Sequence, residues 1–121
     1  MGLFGSSKNT PALPWNDLRQ ISQLDEIEKE SAETPVLILK HSTRCSISAM
    51  AKNRLELYWD KDVSLKAYYL DLLSHRDISD EIERRYHITH QSPQIILLKN
   101  GQVVFNASHT EIDYNTLKRF L

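Results

Sequence analysis

The chain has one cysteine, three glycines and four prolines in 121 residues. A single cysteine excludes an intrachain disulfide, so nothing here is built for the oxidising compartments where small domains rely on such bridges. The expected location is the cytoplasm. With no second cysteine, and no acidic cluster beside the histidines, no metal site is expected. Glycine is too sparse for a Gly-rich phosphate loop, and no Gly-x-Ser-x-Gly elbow occurs. An excess of basic charge is also missing. The formal net charge is −1, whereas a nucleic-acid binder needs a basic face to neutralise phosphates. No apolar run approaches the ~20 residues that span a bilayer, so neither nucleic acid nor membrane is an expected partner. The N-terminus lacks the basic start and apolar stretch of a signal peptide. Its Met-Gly-x-x-x-Ser pattern is explained equally well by a frayed leader.

What is present suits a single soluble domain. Apolar residues make up 40% and charged residues 26%, enough at this length to bury a core. Residues 1–14 mix small, polar and Pro residues and read as a flexible leader, leaving 15–121 as the domain. Trp15 to Leu18 suits a short edge strand. Ser22, three residues before Asp25, resembles a capping box and opens a helix over Gln23 to Ala32 that buries Leu24 and Ile27. Thr34-Pro35 ends it. The run Val36 to His41 has the continuous apolar pattern of a strand buried on both faces.

After the loop Ser42-Thr43-Arg44 a second helix begins near Cys45, with Ile47, Ala51, Leu55 and Tyr58 at helical spacing. Leu65 to Leu72 reads as a second central strand. Asp77 to His87 predicts a helix burying Ile78, Ile82 and Tyr86. Ser92-Pro93 breaks the chain before a strand over Gln94 to Lys99. Asn100-Gly101 supplies the two positive-φ residues of a type I′ turn into a return strand, Gln102 to Asn106. Thr110 is the expected cap of a last helix that turns Tyr114, Leu117 and Leu121 inward. The resulting order, β-α-β-α-β-α-β-β-α, is an α/β domain with a mixed sheet covered by helices on both faces, the thioredoxin arrangement.

A lone intracellular cysteine is most often a small buried hydrophobe. Cys45 differs by position. It sits where a buried strand gives way to a helix, near the unpaired N–H groups of the first turn, which favour a thiolate. Arg44 adds a permanent positive charge, and no apolar wall is evident around Ser42-Thr43-Arg44-Cys45-Ser46. Ser48 stands where a Cys-x-x-Cys motif has its second thiol. Its hydroxyl can hydrogen-bond a thiolate but cannot resolve a disulfide. It also reads as a plain helix-start serine. Any disulfide of Cys45 must therefore be intermolecular and be broken by an external thiol. Pro93 precedes a buried strand; in the cis form it would expose the Ser92 backbone to an extended substrate, and otherwise it is a simple breaker. His41 reads as a strand-end residue that could face the thiol. His87 and His90 straddle a helix end and lack metal-ligand geometry. Asp80 to Arg85 reads as a solvated helix face.

These residues resemble a known family. Leu39-Lys40-His41-Ser42-Thr43-Arg44-Cys45-Ser46-Ile47-Ser48, with Tyr86-His87-Ile88, Ser92-Pro93 and the Lys99-Asn100-Gly101 turn, is similar to the YtxJ family of monothiol bacilliredoxins over roughly Trp15 to Leu121. The resemblance implies a thioredoxin-like fold and a monothiol thiol–disulfide oxidoreductase with Cys45 as nucleophile. It places Ser48 at the replaced resolving position and Pro93 as a cis-proline after Ser92. Arg44 then belongs to the catalytic set, with Ser42, Thr43, Ser46, Ser92 and Pro93 on the substrate side. It implies bacillithiol, or a similar low-molecular-weight thiol, as co-substrate and no tightly bound cofactor. Expected partners are thiolated client proteins and a small-thiol or protein reductase that recycles Cys45. One residue departs from the family pattern: Ser46 stands where a proline follows the cysteine, leaving the helix start less rigid. The alternative function is a non-catalytic thioredoxin-fold module that binds an extended peptide and is only reversibly thiolated.

Overall fold

The computed structural model describes residues 15–60 and 62–121. The expected leader, residues 1–14, lies outside the described residues. The chain forms β1 (Asn16–Asp17), α1 (Gln23–Glu30), β2 (Val36–His41), α2 (Ser46–Leu57), β3 (Lys66–Asp71), α3 (Arg76–Tyr86), β4 (Gln94–Lys99) and β5 (Gln102–Ser108). A 3₁₀ turn (His109–Glu111) and α4 (Tyr114–Lys118) complete it.

One five-stranded sheet runs in the order β1-β3-β2-β4-β5. β1 and β2 lie parallel to β3, while β4 runs antiparallel to both β2 and β5. β2 is thus paired along both edges, which explains why all six of its residues are buried. Side chains alternate across a strand, so β2 feeds two cores. Val36 and Ile38 point into a cluster with Leu24 and Ile27 of α1 and Ile78 and Ile82 of α3. Leu37 and Leu39 point to the opposite face, against Ala51 and Leu55 of α2 and Tyr114 and Leu117 of α4. All of these side chains are buried, and truncating one such leucine or isoleucine to alanine typically costs about 2–5 kcal/mol. The mixed sheet covered on both faces agrees with the sequence expectation.

Several local expectations are corrected. Ser22 makes no side-chain cap; instead the Gln23 carboxamide oxygen accepts from the Arg19 and Gln20 amides at 2.6 and 2.9 Å. Thr110 lies in the 3₁₀ turn, and α4 is capped by Asp113, whose carboxylate accepts from Thr116 N at 3.1 Å. An aspartate can reach the third amide of a helix as well as a threonine can, and here it stands one residue before the first helical position. On α2, Ala51 and Leu55 are buried, but Ile47 and Tyr58 are 58% and 57% exposed. The inward stripe runs through Ser48 instead. The hairpin is as expected: Asn100 and Gly101 both have positive φ, 54° and 74°. β5 runs two residues further than predicted, past a bulge opposite Leu97/Leu98.

Candidate functional site

Two segments meet at one end of the sheet because β2 and β4 are antiparallel. Lys40 pairs with Gln94, so the loop that leaves β2 and carries Cys45 lies at the same edge as Ser92-Pro93, which enters β4. The Ser92-Pro93 bond is cis, and Pro93 O accepts from the His109 amide at 3.1 Å.

The Cys45 loop is a tight turn closed by Cys45 N donating to Ser42 O at 3.1 Å. Cys45 then serves as N-cap of α2 in extended backbone (φ −107°, ψ 118°), its carbonyl accepting the first helical bond from Ala49 N at 3.1 Å. Its thiol is half-buried and unpaired with any cysteine, and sits beside the free amides of the first turn. Thr43, Arg44 and Ser46 are exposed around it, and Ser42 and Ser92 are half-buried. Ile47 adds an exposed apolar side chain next to the sulfur-bearing residue.

Ser48 is fully buried. Its hydroxyl lies 2.6 Å from His41 Nδ1 and accepts from the Ser42 amide at 3.1 Å. The oxygen is therefore committed to the strand end and the loop that follows, and one helical turn holds both ends of the Ser42–Cys45 turn. His41 is buried as well, packed edge-on against Tyr69 with centroids 5.3 Å apart. Burial, reinforced by the nearby Lys52 charge, holds the His41 ring below the ordinary histidine range, so it is neutral near pH 7. In the tautomer protonated at Nε2, Nδ1 accepts the Ser48 hydroxyl proton. Sequence reasoning placed His41 at a strand end facing the thiol or nothing; its bond to Ser48 follows from both residues sharing the α2 face of β2.

A second polar group lies behind the other half of the site. Lys40 is 1% exposed on the α1–α3 face of β2, and its Nζ donates to Gln94 Oε1 at 2.9 Å. Burial pulls the Lys40 ammonium down to about 8. Gln94 in turn donates to Thr89 O at 3.2 Å and accepts from the Gln91 amide at 3.3 Å. His90 Nδ1 meets the buried Ser79 hydroxyl at 3.0 Å. Neither Lys40 nor Gln94 was a sequence candidate. The signal was a lysine inside an otherwise apolar run facing a glutamine that opens the partner strand. His87 and His90 diverge, His87 being the left-handed end of α3.

A parallel β-α-β unit joined to an antiparallel hairpin, with a thiol at the first turn of the helix after β2, defines a thioredoxin-fold protein carrying one cysteine. The chain is similar to a solved structure with a thioredoxin fold, at 33% identity over 85% of this chain and 89% of that one, TM-score 0.75. The Malassezia sympodialis thioredoxin Mala s 13 shares the fold at 19% identity over 91% and 90%, TM-score 0.67. A mutant thioredoxin from Halobacterium salinarum does so at 16% over 85% and 83%, TM-score 0.64. The family model for the monothiol bacilliredoxin BrxC matches residues 16–117, and the chain belongs to that family. By family and fold it is a thiol oxidoreductase. No helix among the described residues is long and apolar enough to cross a membrane.

Proposed function

We infer that the chain removes bacillithiol, or a similar low-molecular-weight thiol, from protein mixed disulfides in the cytoplasm, with Cys45 as the nucleophile. The observation that carries this is the placement of the chain's single thiol at the N-cap of α2, half-exposed, on the same sheet edge as Ser92-Pro93. A sulfur there lies among unpaired backbone amides that stabilise the anion needed for attack.

The Cys45 thiolate attacks the small-thiol sulfur of the mixed disulfide. The bond between the two substrate sulfurs breaks, the client cysteine leaves as thiolate and takes a proton from water, and the small thiol remains disulfide-bonded to Cys45. The client sulfur is reduced and Cys45 is oxidised to the same extent, so the exchange needs no outside oxidant or reductant. A second molecule of the small thiol attacks its twin on Cys45, freeing Cys45 and releasing the symmetric small disulfide; a partner reductase could perform the same step. Ser48 takes no part as a thiol. Its role is to hold the Ser42–Cys45 turn through the Ser42 amide. Exposed Arg44 contributes positive charge near the attacking sulfur. Ser42, Thr43, Ser46 and Ser92 offer polar contacts to a bound client, with Ile47 offering an apolar one.

The test is intact mass and turnover with a test protein carrying bacillithiol, in parallel with one carrying glutathione, and Cys45→Ser as control. Release of the client, with a bacillithiol adduct on Cys45, is the expected result. If neither adduct transfers while Cys45 remains open to an alkylating reagent, the enzymatic proposal fails and a thiolatable binding module takes its place.

A further inference from the structure

Lys40 is hard to explain by stability. It occupies a central strand position opposite buried Leu70 on one side and Gln94 on the other, where an apolar side chain of similar length would avoid the cost of desolvating an ammonium. The group it meets is equally unusual: Gln94, 2% exposed, the first residue of β4. Between them they pass hydrogen bonds outward into the segment that precedes Pro93. Gln94 grips Thr89 O with its amide and Gln91 N with its oxygen, and Lys40 holds that same oxygen in place. From α3, Ser79 holds His90. On the far side His109 N holds Pro93 O. The Ser92 N–H and C=O, like those of His90, have no hydrogen-bond partner among the described residues, and Ser92 is the residue that adjoins cis-Pro93. A half-buried backbone amide and carbonyl left open at the end of the sheet that carries the Cys45 loop are what an extended polypeptide would pair with.

The geometry points to Lys40 and Gln94 as positioning residues: a buried bracket that holds the Thr89–Pro93 loop so that the Ser92 backbone can dock the extended client chain whose disulfide Cys45 attacks. The inference rests on the activity proposed above and deepens it. Docking at Ser92 belongs to that reading; what is assigned here is the rigidity of the loop, to two side chains that make no contact with Cys45. A free loop would have to be ordered on binding, which lowers affinity for the client and leaves the sulfur chemistry unchanged.

Three measurements on Lys40→Met and Gln94→Leu test this, with Gln94→Glu retaining the acceptor for Lys40 and Gln91. First, amide hydrogen exchange at Gln91 should accelerate in Gln94→Leu and remain closer to wild type in Gln94→Glu, with β2 and β4 amides still protected. Second, KM for a thiolated extended peptide should rise by about 10- to 100-fold with little change in kcat. Third, turnover of the small symmetric disulfide and alkylation of Cys45 by iodoacetamide should stay within about twofold of wild type, because neither uses the Ser92 edge. Unchanged Gln91 exchange and unchanged KM would overturn the bracket. So would an equal loss with the peptide, the small disulfide and iodoacetamide, which would place the effect on Cys45 or on the fold. Should the wild-type chain itself release no client, the proposed activity fails separately. The exchange rates, and the affinity of Cys45→Ser for the same peptide with and without Gln94→Leu, then decide the bracket.

Discussion

The hydroxyl of Ser48 lies 2.6 Å from Nδ1 of His41 and takes the Ser42 amide at 3.1 Å, so the residue three positions after the cysteine is tied to the strand and loop before it. A chain with a second thiol at this position would use it to release its own mixed disulfide. Here the position is structural, and the consequences are measurable.

Replacing Ser48 with alanine removes one hydroxyl and leaves the buried His41 Nδ1 and the half-buried Ser42 amide without their partner. The expected cost is about 1–3 kcal/mol in unfolding free energy, read by urea denaturation. Alkylation of Cys45 by iodoacetamide should continue, since the thiol makes no use of that oxygen. A Ser48→Ala chain as stable as wild type would contradict the bond's structural role.

His41 carries a pH signature whose sign is fixed by its burial. Its folded ring resists protonation while the unfolded ring protonates in the ordinary range near 6.5, so the unfolded state binds more protons just below that value. Stability contributed by neutral His41 is therefore full above pH 6.5 and falls as the pH drops below it. Burial is the main cause and the Lys52 charge comes next. Lys52→Met should raise the NMR titration midpoint of His41, all the more because Glu56, the ion-pair partner of Lys52 at 2.7 Å, then loses its neutralising charge and keeps only the Trp15 Nε1 hydrogen bond. A midpoint that fell, or did not move, would rule out this coupling.

Lys40 has its own window at the alkaline side. Its folded ammonium titrates at about 8, against 10.5 when unfolded. The folded chain thus sheds this proton first, and stability rises as the pH climbs from 7 toward 10.5. The groups facing it are Arg76, Asp80 and Glu83 of α3 and His90 of the loop; the two carboxylates oppose the shift caused by burial. From pH 7 to 9.5 the wild-type chain should gain about 2 kcal/mol relative to Lys40→Met. Parallel curves for the two proteins would show that Lys40 titrates normally.

The cap of α4 gives the plainest stability contrast. Asp113 accepts from both Thr116 N and Thr116 Oγ1, at 3.1 and 2.9 Å. Asp113→Ala should cost about 1 kcal/mol, whereas Thr110→Ala, in the 3₁₀ turn and making no side-chain cap, should be near neutral. A thermal melt of each separates them.

Periodicity and punctuation carried most of the architecture. β2 and β4 were legible because runs of four apolar residues, Val36–Leu39 and Ile95–Leu98, close to Pro35, Pro93 and Asn100-Gly101 admit few alternatives, and α3 because Ile78 and Ile82 recur one turn apart. The Cys45 position was legible for the same reason: a strand ended and a helix began around it. What stayed hidden depended on which way a side chain turns. Ile47 and Ser48 stand side by side at the start of α2, and apolar spacing favours Ile47 for the interior. The structure buries Ser48 because buried His41 Nδ1 and the Ser42 amide need a hydroxyl more than the core needs another methyl group. Lys40 and Gln94 were invisible singly. Only the antiparallel register that sets them opposite each other makes the pair.

The single thiol also sets the kinetics of whatever forms on it. With a buried hydroxyl one turn on, no disulfide at Cys45 can leave by an internal, first-order route. Each departure needs a collision with another thiol, so the lifetime of the modified state scales inversely with the concentration of that thiol. Halving the concentration of the attacking thiol, whichever it is, doubles the dwell time.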